Sequence, residues 1–183
     1  VPPRAMITLL SALLRNARHV RVAEQCRVVS LDPDKGRAVL SSGDEVAFDH
    51  VIVANGCAVP ELLAGVPVRK RQGHLLITTR AQPAVNHQLV ELGYMQSAHG
   101  GDGESVAFNV QPRPTGQLLL GSSRELVGWD ETPRRSMLSR MLARATAFMP
   151  GLATLDVIRT WTGFRPATPD KLPLVGPWPE HPG

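Results

Sequence analysis

The sequence predicts an α/β part joined to an α+β part, and three observations carry that reading. An amphipathic helix pattern opens the chain, and the short strands after it end in a continuously apolar run, Val51 to Ala54. Such a run is expected of a strand buried on both faces, often in a parallel sheet. Next, strand-like segments separated by turn chemistry follow one another without an intervening helix, the pattern of an antiparallel meander. A second amphipathic helix then leads into one last strand, so helices and strands are partly alternating and partly segregated.

The elements follow in order. Pro3 sits near the first position of a helix, where its missing N–H costs nothing. Met6, Leu9, Leu10, Leu13, Leu14 and Ala17 then recur at i, i+3, i+4 spacing and give one apolar stripe. The stripe is amphipathic and no small-x-small site follows it, which argues against a signal peptide. His19 to Ala23 alternates as a strand does. Arg27 to Leu31 and Arg37 to Leu40 flank Asp32-Pro33-Asp34-Lys35-Gly36, strong turn chemistry. Val46 to Phe48 is a short strand, and Pro60 to Leu63 a short helix. Strands are expected at Gly73 to Thr79, Gln88 to Gln96, Ser105 to Pro112 and Gln117 to Ser122, the last two joined by a turn at Pro114-Thr115-Gly116. Thr132-Pro133 starts the second long helix. Its stripe is Met137, Leu138, Met141, Leu142, Ala145, Phe148 and Met149, and Pro150-Gly151 ends it. Val157 to Trp161 is the last strand, and the proline-rich segment from Phe164 on is expected to be irregular.

Composition removes several classes of function. With 43% hydrophobic and 20% charged residues over 183 positions, the chain is long and apolar enough for a core and is not disordered. No apolar run reaches the roughly 18 residues that span a bilayer. A net charge of +4 spread along the chain is no nucleic-acid footprint. Four Phe, three Trp and one Tyr are too few for a base-stacking platform. Cys26 and Cys57 show no metal-ligand spacing with each other or with the six histidines, so neither a metal site nor a disulfide scaffold is expected. Low cysteine content and the lack of a signal point to the cytoplasm, with association at a membrane face as the variant.

Three segments carry chemical information. FDHVIVANG, Phe48 to Gly56, ends a strand in Ala-x-Gly, where glycine lets backbone approach a ligand or simply turns the chain. Gly101-Asp102-Gly103 imitates a phosphate loop, but Val106 stands where the third glycine belongs and no helix follows, so it reads as a surface turn. In RTWTGFRPATPDKLPLVGP, Arg159 to Pro177, Arg165 offers a guanidinium fork suited to a carboxylate. A surface salt bridge is the plainer use of such an arginine, and core packing the plainer use of Trp161 and Phe164.

Together these segments resemble the flavin-dependent amine and amino-acid oxidoreductases related to D-amino-acid oxidase, glycine oxidase and sarcosine oxidase. FDHVIVANG with the residues to Leu63 is similar to the family's strand beside the flavin. QPRPTGQLLLGSSRELVGWD, Gln111 to Asp130, resembles its substrate-covering hairpin. WTGFRPATPDKLPLVGP, Trp161 to Pro177, resembles its most diagnostic run, Gly-x-Arg-Pro through Pro-Asp to Gly. The resemblance covers nearly the whole chain. It departs at Ala58, where a tryptophan is common, and at Asp170-Lys171, where the family has Asp-Gly. The Gly-x-Gly-x-x-Gly turn and the C-terminal flavin segment are not in the sequence. A chain that begins at Val1 and stops at Gly183 is therefore expected to be a fragment, inactive alone and poor at holding FAD.

The resemblance implies FAD as cofactor in the full-length protein and oxidation of a C–N bond by hydride transfer to it. Arg165 would hold the substrate carboxylate. Val28, Ala54, Asn55 and Gly56 would contact the cofactor. His74, in place of a glutamine, could face flavin or substrate, or be a hydrogen-bonded structural histidine. Phe108 would take the place of a carboxylate-binding tyrosine, with Tyr94 as a substitute on a neighbouring strand. The fold implied is a mixed, largely antiparallel sheet with flanking helices in a substrate domain, plus part of a Rossmann-type FAD domain. Residues 1–57 would belong to the FAD domain, 58–160 to the substrate domain, and 161–183 to the return. The partner is a small amino acid or amine, together with a flavin-protein subunit or a second copy of the chain. A catalytically silent binding or assembly domain is the alternative.

Overall fold

A computed structural model describes residues 3–81, 85–94, 101 and 103–179. The chain divides into two compact units, residues 1–52 with 177–183, and residues 53–176.

In the first unit, helix α1 (Pro3–Asn16) forms where the apolar spacing predicts it. Strands β1 (Val28–Asp32), β2 (Arg37–Leu40) and β3 (Glu45–Ala47) make a three-stranded antiparallel sheet. The β1–β2 turn is tied by the Lys35 N–H, which donates to Asp32 Oδ1 at 3.1 Å. Gly36 closes it at φ +60, and a Cβ there would lie 2.5 Å from the Phe48 carbonyl oxygen; only glycine fits. This unit buries little. Among its described residues Ala38 alone is buried, and the α1 stripe from Met6 to Leu14 stands 44–59% exposed.

Two expected strands are absent here. His19 to Ala23 is irregular and exposed. Val51 to Ala54 is irregular too, with Ile52 92% exposed. A strand exists through its ladder bonds, and among the described residues nothing pairs with either segment.

The second unit opens with a 3₁₀ turn (Gly56–Ala58) and the short helix α2 (Val59–Leu62). Its sheet comprises β4 (Arg69–Arg80), β5 (Leu89–Val90), β6 (Ser105–Pro112), β7 (Gln117–Arg124) and β8 (Val157–Ala167), in the order β5-β6-β7-β4-β8, every pair antiparallel. The largely antiparallel sheet with flanking helices is thus present. β5 covers only two residues of the expected Gln88–Gln96 strand, and Gln96 lies outside the described residues. β8 runs six residues past its expected end. Its register against β4 holds from Arg69↔Ala167 to Thr78↔Val157, with one irregularity near the latter end. β8 is an edge strand, so Pro166 needs no ladder partner on its open side. Arg165 is therefore fixed on a strand, not carried by a loop.

Helix α3 (Arg135–Phe148) covers one face of this sheet. Met137, Met141 and Ala145 pack on Leu76, Phe108, Val110, Leu118 and Leu120. Each large apolar side chain buried this way contributes about 1.5–3 kcal/mol. Among the described residues no helix is long and apolar enough to cross a membrane.

Candidate functional site

Side chains alternate across a strand, so the β4–β8 register sorts the candidates. Leu76 belongs to the helix-covered face, and with it go Gln72 and His74. Arg71, Gly73, Arg165 and Gly163 share the opposite face, because Arg71 pairs with Arg165 and Gly73 with Gly163. The Arg165 guanidinium lies across Gly73 so closely that a Cβ at that position would fall 2.1 Å from Nη1. Glycine is what lets the guanidinium lie flat on the sheet. Nη1 donates to the Ser123 carbonyl at 3.2 Å.

Three further side chains, Arg124, Tyr94 and Arg71, act electrostatically on Arg165. Tyr94 lies beside Arg124, whose guanidinium carbon is 4.9 Å from the ring centroid. Ser122 Oγ donates to the Tyr94 oxygen at 3.3 Å, and Asn109 also hydrogen-bonds that oxygen. Burial alone would raise the Tyr94 phenol, but the Ser122 hydrogen bond and the Arg124 charge outweigh it and hold it below its ordinary value. Arg165 is pushed down by loss of water contact, then by the Arg124 charge. Arg124 is pushed down by its burial and, further on, by Arg71. The face is a cluster of like charges held against their mutual repulsion. An anion would relieve it.

His74 and Phe108 belong to the other face, and the hydrogen-bonded structural histidine is the alternative that this placement favours for His74. Phe108 is 5% exposed, sits in the core, and stacks on Phe148 with centroids 4.9 Å apart. In β6 the larger apolar residues Val106, Phe108 and Val110 alternate with Ala107, Asn109 and Gln111, and Asn109 hydrogen-bonds Tyr94. That alternation is the sequence signal for Asn109. Arg124 had no such signal.

His74 is fully buried and caps α3. Its Nε2 accepts the Arg134 backbone N–H at 3.0 Å, one of the helix's unpaired first-turn donors. Its Nδ1 lies 2.8 Å from Ser123 Oγ and 3.4 Å from Glu125 Oε1. Arg134 also pairs with Glu125 and Glu104. An acceptor at Nε2 requires the neutral ring, and burial, followed by the Arg134 charge, lowers the His74 pKa from 6.5. The folded state then binds fewer protons than the unfolded chain just below that value, so this contribution is complete above about pH 6.5 and fades as pH falls. Burial raises the Glu125 pKa, which has the opposite sign and favours the folded state on the acid side. Urea midpoints are expected to fall on acidification from pH 7 towards 5. In His74→Gln that fall should disappear, leaving a midpoint that is level or rises as Glu125 dictates; a fall that survives the substitution assigns it to another group.

The Ala-x-Gly segment offers a second surface. Gly56 has φ +59, and a Cβ there would meet nothing within 4 Å. Ala54 and Asn55 are exposed, and Asn55 precedes the 3₁₀ turn. Backbone laid open beside a glycine fits a flat group resting against it. Val28 begins β1 in the first unit. Among the described residues no group of three or more His, Cys, Asp or Glu could hold a metal ion. Of the Gly101-Asp102-Gly103 segment, Asp102 lies outside the described residues.

A family described as DAO, FAD dependent oxidoreductase, matches residues 2–183. The chain belongs to the DAO family. Within the family it is 28% identical over 187 residues to glycine oxidase of Pseudomonas putida, covering 99% of this chain and 47% of that protein. It is 30% identical over 112 residues to the hydrogen cyanide synthase subunit HcnC of Pseudomonas protegens, covering 61% of this chain and 24% of that protein. The crystal structure of glycine oxidase from Geobacillus kaustophilus superposes with a TM-score of 0.72 at 22% identity, over 88% of this chain and 42% of that one. The DAO chain thus shares that fold and spans about half the length of the glycine oxidases it matches. At Lys171 φ is +65, a left-handed conformation that costs a residue with a side chain about 1–2 kcal/mol.

Proposed function

We propose that this chain supplies the substrate-facing part of an FAD-dependent oxidoreductase that oxidises the C–N bond of a small amino acid or secondary amine. The observation that carries the reading is the Arg165 guanidinium laid across Gly73, with Tyr94 and Asn109 on the same face. A fixed fork of donors suits a carboxylate, and Tyr94 would hold its second oxygen. The carboxylate then anchors the substrate so that its amine-bearing carbon projects from the sheet. FAD, when bound, supplies the hydride acceptor. The resemblance implies Ala54, Asn55, Gly56 and Val28 as residues that would contact it. In this reading residues 1–57 belong to the FAD-binding domain, 58–160 to the substrate domain and 161–183 to the return. The division of the chain near residue 53 and at residue 176 supports a two-part split, although it keeps β8 with the substrate sheet.

The sequence contains no Gly-x-Gly-x-x-Gly strand-turn-helix, the part that would neutralise a pyrophosphate. The isolated chain is therefore expected to purify colourless and inactive. The intact protein should show flavin absorbance near about 450 nm, bleached when its amine substrate is added without oxygen. An intact protein that takes up no flavin would sink the reading. A yellow isolated chain would sink only the expected weakness of the part. The kinship with HcnC, named as a subunit, supports a second arrangement in which the flavin protein works with a partner subunit; co-purification of a second polypeptide distinguishes it.

A further inference from the structure

Arg124 is the residue that a single-carboxylate site does not explain. It is 5% exposed, and among the described residues its Nη1 has no hydrogen-bond partner. No carboxylate among the described residues forms a salt bridge with Arg124 or Arg165. The acidic group that Arg124 feels, Glu91, is engaged by Arg144 at 2.9 and 3.2 Å. A buried guanidinium with an idle donor is costly unless something pairs with it.

Its aim comes from a bulge. Against β4, the β7 strand carries one extra residue between Leu76↔Leu120 and Gln72↔Glu125, and its register with β6 shifts in the same stretch, so β7 changes which residues it turns to each face. Ser123 and Glu125 turn towards His74, while Ser122 and Arg124 turn to Tyr94. Arg124 thus joins Arg165 beside Tyr94, on the face assigned above to the substrate.

We propose that Arg124 is a second acid-binding position, so that the site takes an amine substrate carrying two acidic groups, one on Arg165 and the other on Arg124. The proposal rests on the preceding reading of this face as the substrate site and adds the class of substrate. Tyr94 interacts with both guanidinium groups. A substrate with one carboxylate leaves the Arg124 donor unmatched, and a polar site with an unmatched buried group discriminates strongly.

The test is calorimetric titration of the intact protein with malonate and succinate against acetate and propionate, which needs no turnover. The dicarboxylates are expected to bind about tenfold more tightly or better. Arg124→Met should remove that preference while moving the monocarboxylates by less than about threefold. Arg124→Lys, which keeps the charge and guards against a folding defect, should restore part of it. Equal weakening of both classes in Arg124→Met means that the two arginines grip one carboxylate, and overturns the proposal. A preference that survives Arg124→Met overturns it as well. If no carboxylate of either class binds and Arg165→Ala changes nothing, the substrate site itself is misassigned and the proposal falls with it.

Discussion

Replacing Arg165 by alanine is expected to raise the KM of the intact protein for its amine substrate on the order of 10²–10³-fold, with kcat much less affected. The substrate carboxylate loses the fork that fixes it, and truncating one partner of a hydrogen-bonded charge pair costs about 2–5 kcal/mol. Arg165→Lys should recover little. An ammonium lacks the planar fork, and the flat seat over Gly73 is shaped for a guanidinium. Steady-state kinetics on each variant, with the uncharged ester of the same substrate as control, decides the point. The ester should react equally with wild type and variant. Unchanged kinetics on the free acid would remove Arg165 from the role.

Phe108→Ala should act on stability instead. Phe108 is stacked on Phe148 and surrounded by the helix-side core. Emptying such a position costs about 3–5 kcal/mol. The urea midpoint should fall accordingly, and KM, measured where the variant remains folded, should stay near the wild-type value. A stable variant with a raised KM would return Phe108 to the substrate face and invalidate the face assignment built on the β4–β8 and β6–β7 registers.

Much of the fold was legible because local chemistry dictated it. The β1–β2 turn follows from Asp32 to Gly36, and β6 and β2 fall where their patterns place them. The α3 core stripe follows from its spacing, with Met137, Met141 and Ala145 buried as the period requires. Segments whose structure depends on distant partners were misread. Val51 to Ala54 is apolar enough for a buried strand but finds no ladder. Phe164 to Ala167 reads as a proline-rich loop but is held in β8 by β4 across nearly a hundred residues of sequence. Of the site residues, Arg165 was legible from its motif and Tyr94 was named on weak grounds. The sequence leaves His74 open between a ligand and a structural histidine, and the face that holds it and Phe108 depends on strand alternation.

The sequence by itself determined the family, through the Gly-Phe-Arg-Pro run and the segment ending in Ala-x-Gly. It also determined the helix faces and tight turns, because these depend on residues a few positions apart. Only the tertiary structure decided which side of the sheet each polar residue occupies. That choice hangs on strand register and on one bulge in β7, and a shift of a single residue reverses every side chain beyond it. The bulge turns Arg124 towards Tyr94 and Arg165, and turns Ser123 and Glu125 towards the buried His74.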